Sequence, residues 1–319
     1  TVKKELKKCS LVKDYEDDLV IGCGPSFIDI SRIAKKILRY PIEIDNNYEL
    51  SDTAVGKVKE FVKSVDAQKV KKIKGIGPEG AESINGGLAI ISAIYDAFKI
   101  STVNISTANT LEGIVLSNLV GSSNEKYSDL LQNSLDNYYE FKKEGLAINS
   151  YVYDMALLLF KQLKVVHKLP RAYVKPLKIA AYMFDCGKFI NFSNFQKHSF
   201  YAILNSNIAG ATQKEILLAA FACTCQNLDN FNLVEIMKYK DILSDEDVEA
   251  VRKLGVLVNL AVNLNASRKN IINDIVCDIL GDSIIMKTVV SSDPSFEIMQ
   301  SMKISDDFRK TFKKSLQII

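Results

Sequence analysis

The architecture of the first part of the chain is set by the stretch Leu19-Val20-Ile21-Gly22-Cys23-Gly24-Pro25-Ser26-Phe27. Its three leading apolar residues predict a short buried strand, and the glycines after them predict a turn. Ser26 and Asp29 have the S-x-x-D spacing of a capping box, so we expect a helix to start there. The apolar residues that follow recur at helical spacing; they are Phe27, Ile30, Ile33, Ala34, Ile37 and Leu38. The stretch therefore predicts a strand, a glycine turn and an amphipathic helix.

The same alternation of strands and helices continues to about residue 120, as in an α/β layer. The predicted elements are helices at 51–65, 81–98 and 111–119 and a strand at 102–105. The helix at 51–65 has Ser51 or Asp52 as its cap, and the helix at 81–98 follows the glycine loop Gly75–Pro78. Within that helix, Gly86-Gly87 leaves room for another group to approach closely.

Small polar residues at Gly121–Asn124 separate a stretch of alternating strands and helices from an almost wholly helical stretch, so they predict a domain boundary there. We expect an α/β domain at residues 1–121 and an almost wholly helical domain at residues 122–319. The helices predicted after the boundary lie near 127–143, 150–166, 172–184, 197–208, 213–225, 232–238, 244–265 and 268–274. A strand-like run at 284–290 and a closing helix over about 295–315 complete the second domain.

The bulk composition indicates a packed globular protein of about two domains, with 319 residues, 47% of them hydrophobic and 25% charged. The net charge of +3 argues neither for nor against nucleic acid, and no nucleic-acid partner is expected. The basic runs Lys3–Lys8 and Lys69–Lys74 lack interleaved aromatic residues. We therefore expect solvated surfaces at both runs, with attraction of an anion as the alternative.

Six cysteines without paired spacing indicate reduced, mostly buried thiols of a cytoplasmic protein. Cys223 and Cys225 lie on different faces of a predicted helix, and no second pair completes a zinc site. The longest apolar run, Ile216–Cys223, is shorter than a membrane span, so no membrane partner is expected. The start lacks both a signal-peptide core and an initiator Met, which suggests a chain cut from a longer one.

The order of these motifs resembles one family, the exopolyphosphatases and guanosine-pentaphosphate phosphatases. The run Ile21–Phe27, the glycine loop and helix at Gly75–Phe98, and the run Ile105–Gly113 (I-S-T-A-N-T-L-E-G) are similar to the second half of its actin-like catalytic unit. The resemblance thus implies an α/β plus all-α fold, in which half of an actin-like (ribonuclease H-like) domain precedes an HD-type helical domain.

The resemblance continues through the second domain. Leu159–Leu163 is similar to that family's L-F-D-Q-L, and Ala180–Asn191 is similar to A-A-x-L-H-D-I-G-x-x-I-N. Lys197–Tyr201 looks like K-H-S-x-Y, and Leu260–Ser267 stands in the place of I-A-D-A-L-D-R-S. Similarity of this kind covers nearly the whole chain.

The resemblance implies hydrolysis of phosphoanhydride bonds in inorganic polyphosphate or guanosine pentaphosphate by the intact parent protein. It also implies that the parent uses Mg²⁺ and forms a homodimer. Its phosphate loops, of the types D-x-G-S-x-S and D-I-G-G-G-S, occur nowhere in the sequence. We expect them, with the catalytic glutamate, to precede residue 1, so that this chain alone is inactive. The alternative is a non-catalytic paralogue that binds an anionic ligand or only dimerises.

The resemblance also implies a phosphate-binding turn at Gly22, Gly24 and Ser26, where Ser26 Oγ and free N–H groups would meet an anion. The alternative for the same residues is an ordinary strand-to-helix turn. Glu112 and Gly113 stand in the place of the family's R-E-G, but Leu111 replaces the arginine. Loss of that cation would weaken the grip on phosphate oxygens.

A working HD site needs H…HD…D to hold a divalent metal. The resemblance places the first ligand near Ile148 or Asn149, the dyad at Phe184-Asp185 and the last ligand at Val262. Three of the four ligands are therefore missing, and no metal-dependent hydrolysis is expected from this domain.

The residues left in the helical-domain pocket are Asp185, Lys188, Lys197 and His198. Asp185 is either a relic carboxylate in an anion pocket or a helix-end residue paired with Lys188, and pairing is the favoured interpretation. His198 either contacts a phosphate or packs and caps, and packing is favoured. His167, in a polar stretch, is expected at the surface.

Overall fold

The computed structural model describes residues 2–9, 12, 19–120, 129–140, 146–225 and 233–319. The chain divides into two compact units, Thr1–Ser128 and Asp129–Ile319. The boundary predicted at residues 121–124 lies outside the described residues. Within the described ranges, every helix is too short or too polar to cross a membrane.

A three-stranded sheet organises the first unit. Its strands are β1 (Ile21–Cys23), β2 (Glu49–Ser51) and β3 (Thr102–Ser106), in the order β1-β3-β2. β1 runs parallel to β3, whereas β2 runs antiparallel to it. The strand predicted at Leu19–Ile21 begins two residues later than expected, and β2 was not predicted because three residues show no clear alternation.

The helices described in the first unit are α1 (Val2–Leu6), α2 (Pro25–Leu38), α3 (Asp52–Ser64), α4 (Ala67–Lys71), α5 (Pro78–Phe98) and α6 (Thr110–Val120). The predicted cap of α3 is confirmed, because Ser51 Oγ accepts a hydrogen bond from the N–H of Ala54. Val55, Val58 and Val62 are buried along one face of α3, as their spacing predicts. The α/β character predicted for this unit is confirmed, because its helices and its three-stranded sheet alternate along the chain.

The capping box predicted at Ser26 is wrong. α2 begins at Pro25, and its cap is Gly24, which has φ 95° and no side chain to offer. Proline suits the first helical position because an N–H there would have no partner within the helix and proline lacks one, and glycine adopts the positive φ that the turn needs. Ser26 is consequently inside the first turn of α2. The side chain of Asp29 is buried, and its Oδ1 lies 3.9 Å from Nη1 of Arg32.

α2 and α5 pack antiparallel through glycines of α5. A Cβ placed at Gly87 would lie 2.8 Å from Ser26 Oγ, and one at Gly80 would lie 2.3 Å from a carboxylate oxygen of Asp29. Gly86 faces open space. The close approach predicted at Gly86-Gly87 is thus confirmed at Gly87, which lets the glycine turn sit directly against α5.

We predict that Gly86→Ala raises the free energy of unfolding by up to about 1 kcal/mol, because alanine favours a helix and meets no neighbour. Gly87→Ala gains the same propensity but presses on Ser26, so it should be less stable than Gly86→Ala by about 1 kcal/mol or more. Urea unfolding followed by circular dichroism measures both variants. Equal stability of the two variants would contradict the packing described for Gly87.

The second unit is built mainly from helices. Those described before its sheet are α7 (Leu130–Glu140), α8 (Leu146–Gln162), α9 (Lys164–His167), α10 (Val174–Tyr182), α11 (Phe195–Leu204), α12 (Gln213–Thr224), α13 (Leu233–Ile236) and α14 (Asp245–Asn263). Capping boxes at Thr212 and Ser244 start α12 and α14. α8, α10, α12 and α14 pack on one another around a continuous apolar core.

The second unit contains a three-stranded sheet, which is more strand than the single strand-like run expected in an almost wholly helical domain. It contains β4 (Ile272–Leu280), β5 (Ser283–Val290) and β6 (Ser315–Ile318), with β4 antiparallel and β6 parallel to β5. The helix predicted at 268–274 is wrong. β-Branched residues favour a strand there, and the two-residue turn Gly281-Asp282, in which Gly281 has φ 53°, closes a hairpin.

The closing segment also differs from the prediction. Instead of one helix over 295–315, α15 (Ser295–Met302) and α16 (Ser305–Phe312) precede β6. The strand predicted at 284–290 is confirmed as β5.

His167 is fully buried, so its expected surface position is wrong. Its Nδ1 accepts the N–H of Leu169 at 2.8 Å, and its Nε2 lies 2.7 Å from the carbonyl oxygen of Phe160. The neutral ring protonated on Nε2 satisfies both contacts. Burial lowers the pKa of His167, although the contact with Phe160 opposes this.

Below the ordinary histidine pKa of about 6.5, His167 therefore takes up a proton more readily in the unfolded chain than in the folded chain. We predict that stability is fully present above this pH and falls as the pH drops from about 6.5 towards the lowered folded-state pKa. His167→Gln should lower the free energy of unfolding by about 1–3 kcal/mol at neutral pH and reduce its slope between about pH 7 and 5. Urea unfolding at several pH values tests this; an unchanged slope in the variant would contradict it.

Candidate functional site

The glycine turn and the segment after β3 leave the first sheet at the same edge. Cys23 and Ser106, the last residues of β1 and β3, are register partners in a parallel pair. Gly24 follows the first strand, and the run from Thr107 to Gly113 follows the second. The carboxyl ends of parallel strands are where open α/β sheets bind their ligands.

Of the two glycines in this turn, Gly24 is the one with free space around its Cα. Its backbone has φ 95° and ψ 167°, and a Cβ placed there would meet no atom within 4 Å. No side chain caps α2, and Pro25 has no N–H, so the N–H groups of Ser26 and Phe27 receive no side-chain cap from Gly24. Together with the helix dipole, these N–H groups form an arrangement that attracts an anion.

The other two predicted residues of the turn are explained largely by packing. A Cβ at Gly22 would lie 2.6 Å from the ring of Phe27 and 2.7 Å from Val103, so only glycine fits there. Ser26 Oγ lies against Gly87 of α5. The backbone N–H of Ser26, more than its hydroxyl, is therefore the group suited to an anion.

Glu112 and Gly113 lie at the start of α6, and both are exposed. The N–H of Asn109 donates to Glu112 Oε2 at 3.2 Å, and the N–H of Glu112 donates to Asn109 Oδ1 at 3.0 Å. This reciprocal pair is a capping box that the N-x-x-E spacing could have shown. Leu111, in the place of the family's arginine, is 75% exposed.

In the second unit, Asp185 lies between two cations. Its carboxylate is 3.7 Å from Lys188 Nζ and 3.7 Å from an Nη of Arg268. The predicted pairing with Lys188 is confirmed, and Arg268 is a partner that sequence analysis missed. Its contribution depends on the turn after α14, where Arg268 has φ 60°.

Lys188 is held by aromatic rings as well as by charge. Its Nζ lies 4.7 Å from the ring centre of Phe195, 5.7 Å from that of Phe184 and 5.8 Å from that of Phe192. Burial lowers the pKa of Lys188, whereas Asp185 raises it. These contacts fix the ammonium by cation–π attraction and an ion pair.

Lys197 and His198 lie in the first turn of α11, Lys197 exposed and His198 half-buried. The backbone of Gly187 packs against this turn, since a Cβ there would lie 2.1 Å from the carbonyl oxygen of Phe195. Among the described residues, no hydrogen bond or ion pair joins either side chain to Asp185. The structure therefore brings the backbones together without joining the predicted side chains into one cluster.

Ser199 is the residue that sequence analysis missed in the K-H-S-x-Y run. Fully buried, its hydroxyl accepts the N–H of Gly187 at 2.9 Å and donates to the carbonyl oxygen of Phe184 at 3.4 Å. It thus ties the segment after α10 to α11. A single buried serine that bonds to a glycine in another segment leaves no periodic signal in the sequence.

The positions aligned with HD ligands do not fit a divalent metal. Asn149 is buried and donates to the carbonyl oxygen of Tyr182 at 2.7 Å, and Val262 packs against the apolar core. Asp185, the remaining carboxylate, already faces two cations. In the described ranges, no three His, Cys, Asp or Glu side chains lie close enough to share an ion.

Cys186, Cys223 and Cys225 are buried, whereas Cys23 is exposed and Cys9 and Cys277 are half-buried; none of these six forms a disulfide with another described residue. Burial raises the pKa of the Cys225 thiol and of the Cys223 thiol. Both residues of the C-x-C pair are consequently held as thiols, a form that binds metals poorly.

Two protein-family models match this chain. Residues 26–121 match the model of the Ppx/GppA phosphatase family, and residues 146–294 match the model of Ppx/GppA phosphatase, domain III. The chain belongs to the Ppx/GppA phosphatase family.

Two curated relatives carry the name guanosine-5'-triphosphate,3'-diphosphate pyrophosphatase. The protein from Aeromonas hydrophila is 26% identical over 194 residues, and the protein from Aeromonas salmonicida is 25% identical over 194 residues. Each match covers 60% of this chain and 38% of the relative. The chain thus spans well under half the length of these relatives.

We predict that Ser199→Ala lowers the free energy of unfolding of the second unit by about 1–3 kcal/mol, because it leaves the buried N–H of Gly187 without its partner. Ser193→Ala is the matched control, since Ser193 is exposed and should change stability by less than about 0.5 kcal/mol. Thermal unfolding of the two variants beside the wild type measures the difference. Equal midpoints for both variants would contradict the role assigned to Ser199.

Proposed function

We propose that this chain is part of a phosphoanhydride hydrolase that acts on inorganic polyphosphate or guanosine pentaphosphate. In this proposal the first unit is half of an actin-like (ribonuclease H-like) domain, and the second unit is a degenerate HD-type domain. The observation that carries the proposal is the open Gly24 turn at the carboxyl edge of the parallel β1–β3 pair. Membership of the Ppx/GppA phosphatase family supports it.

The groups that this chain offers to a phosphate are backbone groups. The N–H groups of Ser26 and Phe27 point from the start of α2, where the helix dipole adds partial positive charge. Two such N–H groups bind and orient a phosphate oxygen without a charged side chain. A magnesium ion would neutralise phosphate charge when bound, but the described residues offer no fitting set of ligands, so no step is assigned to it.

Hydrolysis needs more than this turn. Two glycine phosphate loops and a catalytic glutamate, as in the family, are not found in the sequence. In our proposal, residues outside this sequence supply them, and this chain supplies phosphate binding and the second unit. A cytoplasmic location, expected from six cysteines without paired spacing, also stays a prediction. Homodimer formation and dependence on Mg²⁺ stay predictions.

The second candidate is a non-catalytic anion-binding paralogue. It is favoured by Leu111 in place of a phosphate-binding arginine and by Glu112, whose carboxylate caps its own helix through Asn109. Phosphate release by the full gene product separates the candidates. Mg²⁺-dependent release from polyphosphate or guanosine pentaphosphate supports the hydrolase, and binding without release supports the paralogue.

We predict that this chain alone releases no phosphate from polyphosphate or guanosine pentaphosphate with Mg²⁺, yet binds a phosphate at the turn. Short polyphosphate should slow hydrogen exchange at the amides of Ser26 and Phe27, measured by mass spectrometry of peptides that cover them. Gly24→Ala should abolish this protection, because a side chain at φ 95° is strained by about 1–3 kcal/mol.

Gly56→Ala is the matched control, because Gly56 lies within α3 and a Cβ there meets no neighbour. This variant should keep the protection at Ser26 and Phe27. Turnover by this chain that EDTA abolishes would overturn the assignment of the missing machinery. Equal protection in Gly24→Ala and the wild type would overturn the site.

A further inference from the structure

A pocket of the first unit lies along the C-terminal half of α2, away from the glycine turn. Its volume is about 610 Å³, within the range of small-molecule sites. On α2 the lining begins at Arg32, eight residues after Gly24, which is ~12 Å along the helix. The lining residues are Arg32, Lys35, Lys36, Arg39, Tyr40, Ile42, Glu43, Asp45, Lys72, Ile73, Lys74 and Gly75.

The pocket concentrates positive charge. Its lining has six Lys or Arg side chains and two carboxylates, a net charge of +4, while the whole chain has a net charge of +3. An excess of this size in a concave site attracts anions.

The two carboxylates are already occupied. Asp45 accepts from Arg32 Nε at 2.7 Å and from Lys35 Nζ at 2.5 Å, while Glu43 accepts from Lys74 Nζ at 2.6 Å. The side chain of Lys35 is only 8% exposed, and its Nζ also donates to the carbonyl oxygen of Glu43 at 2.8 Å. Arg32 and Lys35 therefore form a fixed floor of the pocket.

Three further cations, Lys36, Arg39 and Lys72, are exposed on the pocket lining. None of them makes a hydrogen bond or ion pair through its side chain with a residue that the structure describes. The side chains of Lys36 and Arg39 are not needed to cap α2, because backbone groups already do so. The N–H of Tyr40 donates to the carbonyl oxygen of Lys35, and the N–H of Arg39 donates to that of Lys36. Charge repulsion among three such side chains is relieved by a shared anion.

We propose that this pocket is a second anion site, which binds a run of adjacent phosphate groups. One phosphate neutralises only part of the net charge, whereas a chain of phosphates reaches several cations at once. Inorganic polyphosphate and the phosphate chain of a nucleotide share this chemistry. The site is separate from the Gly24 turn and stands whether or not that turn serves a hydrolase.

The pocket also gives a specific role to part of the basic run Lys69–Lys74. Lys71 pairs with Glu82 at 3.1 Å outside the pocket, but Lys72 and Lys74 line it. The α2 helix supplies Lys36 and Arg39 from a different part of the sequence. In this proposal, anion attraction, the alternative interpretation of this run, applies at Lys72 and Lys74.

Calorimetric titration of the whole chain at low ionic strength tests the proposal with inorganic tripolyphosphate, GTP and orthophosphate as probes. The variant Lys36→Gln/Arg39→Gln/Lys72→Gln removes the three exposed cations. We expect it to bind tripolyphosphate at least about tenfold more weakly than the wild type, because each lost charge-assisted contact weakens phosphate binding. Orthophosphate should bind the wild type far more weakly than tripolyphosphate does.

The control variant Lys57→Gln/Lys59→Gln/Lys63→Gln removes the same charge from exposed positions of α3. Its affinity for tripolyphosphate should stay within about threefold of the wild-type value, because only the long-range attraction between the protein and the anion becomes weaker. Equal losses in both variants, or no binding of tripolyphosphate by the wild type, would overturn the site. Tighter binding of GTP than of tripolyphosphate assigns the site to a nucleotide, and the reverse assigns it to inorganic chains.

Gly24→Ala separates this proposal from the hydrolase proposal. It should leave tripolyphosphate affinity at the pocket unchanged while removing amide protection at Ser26 and Phe27. If the triple pocket variant keeps that protection, the two sites are independent, and loss of it would overturn their separation.

Discussion

The parallel pairing of β1 with β3 is the constraint on which the first unit depends. Its register places Cys23 beside Ser106, so the two chain segments that leave the sheet do so together. Parallel strands cannot be joined by a tight turn, and the chain between them must form helices that cover the sheet. α2 packs on β1 and β3, and α5 packs in turn against α2 at Gly87 and Gly80. An exposed helix start beside the sheet edge is the result.

Much of the first unit followed from apolar spacing, because α2, α3 and α5 each bury one face. The cap of α2 did not, since S-x-x-D marks a possible start, whereas Gly24-Pro25 fixes the actual one through backbone geometry. In the second unit, helix periodicity gave most helices, but the run near Ile272 is short and apolar, and such runs fit a helix or a strand equally well. The pairing with β5 decides it.

The candidate sites show a similar division. The sequence located the glycine turn and the Asp185–Lys188 pair, which depend on neighbouring residues. It could not locate Arg268 beside Asp185, the tie made by Ser199, or the buried ring of His167, since each depends on contacts between distant segments. The basic pocket was invisible for the same reason, because its cations come from two stretches that meet only after folding.

The last strand has a consequence for anyone who handles this protein. β6 is paired with β5, and the terminal residue Ile319 exchanges backbone hydrogen bonds with Met286 and Thr288. Trimming residues 315–319 would strip β5 of one neighbour and bare an apolar strand edge, which invites self-association.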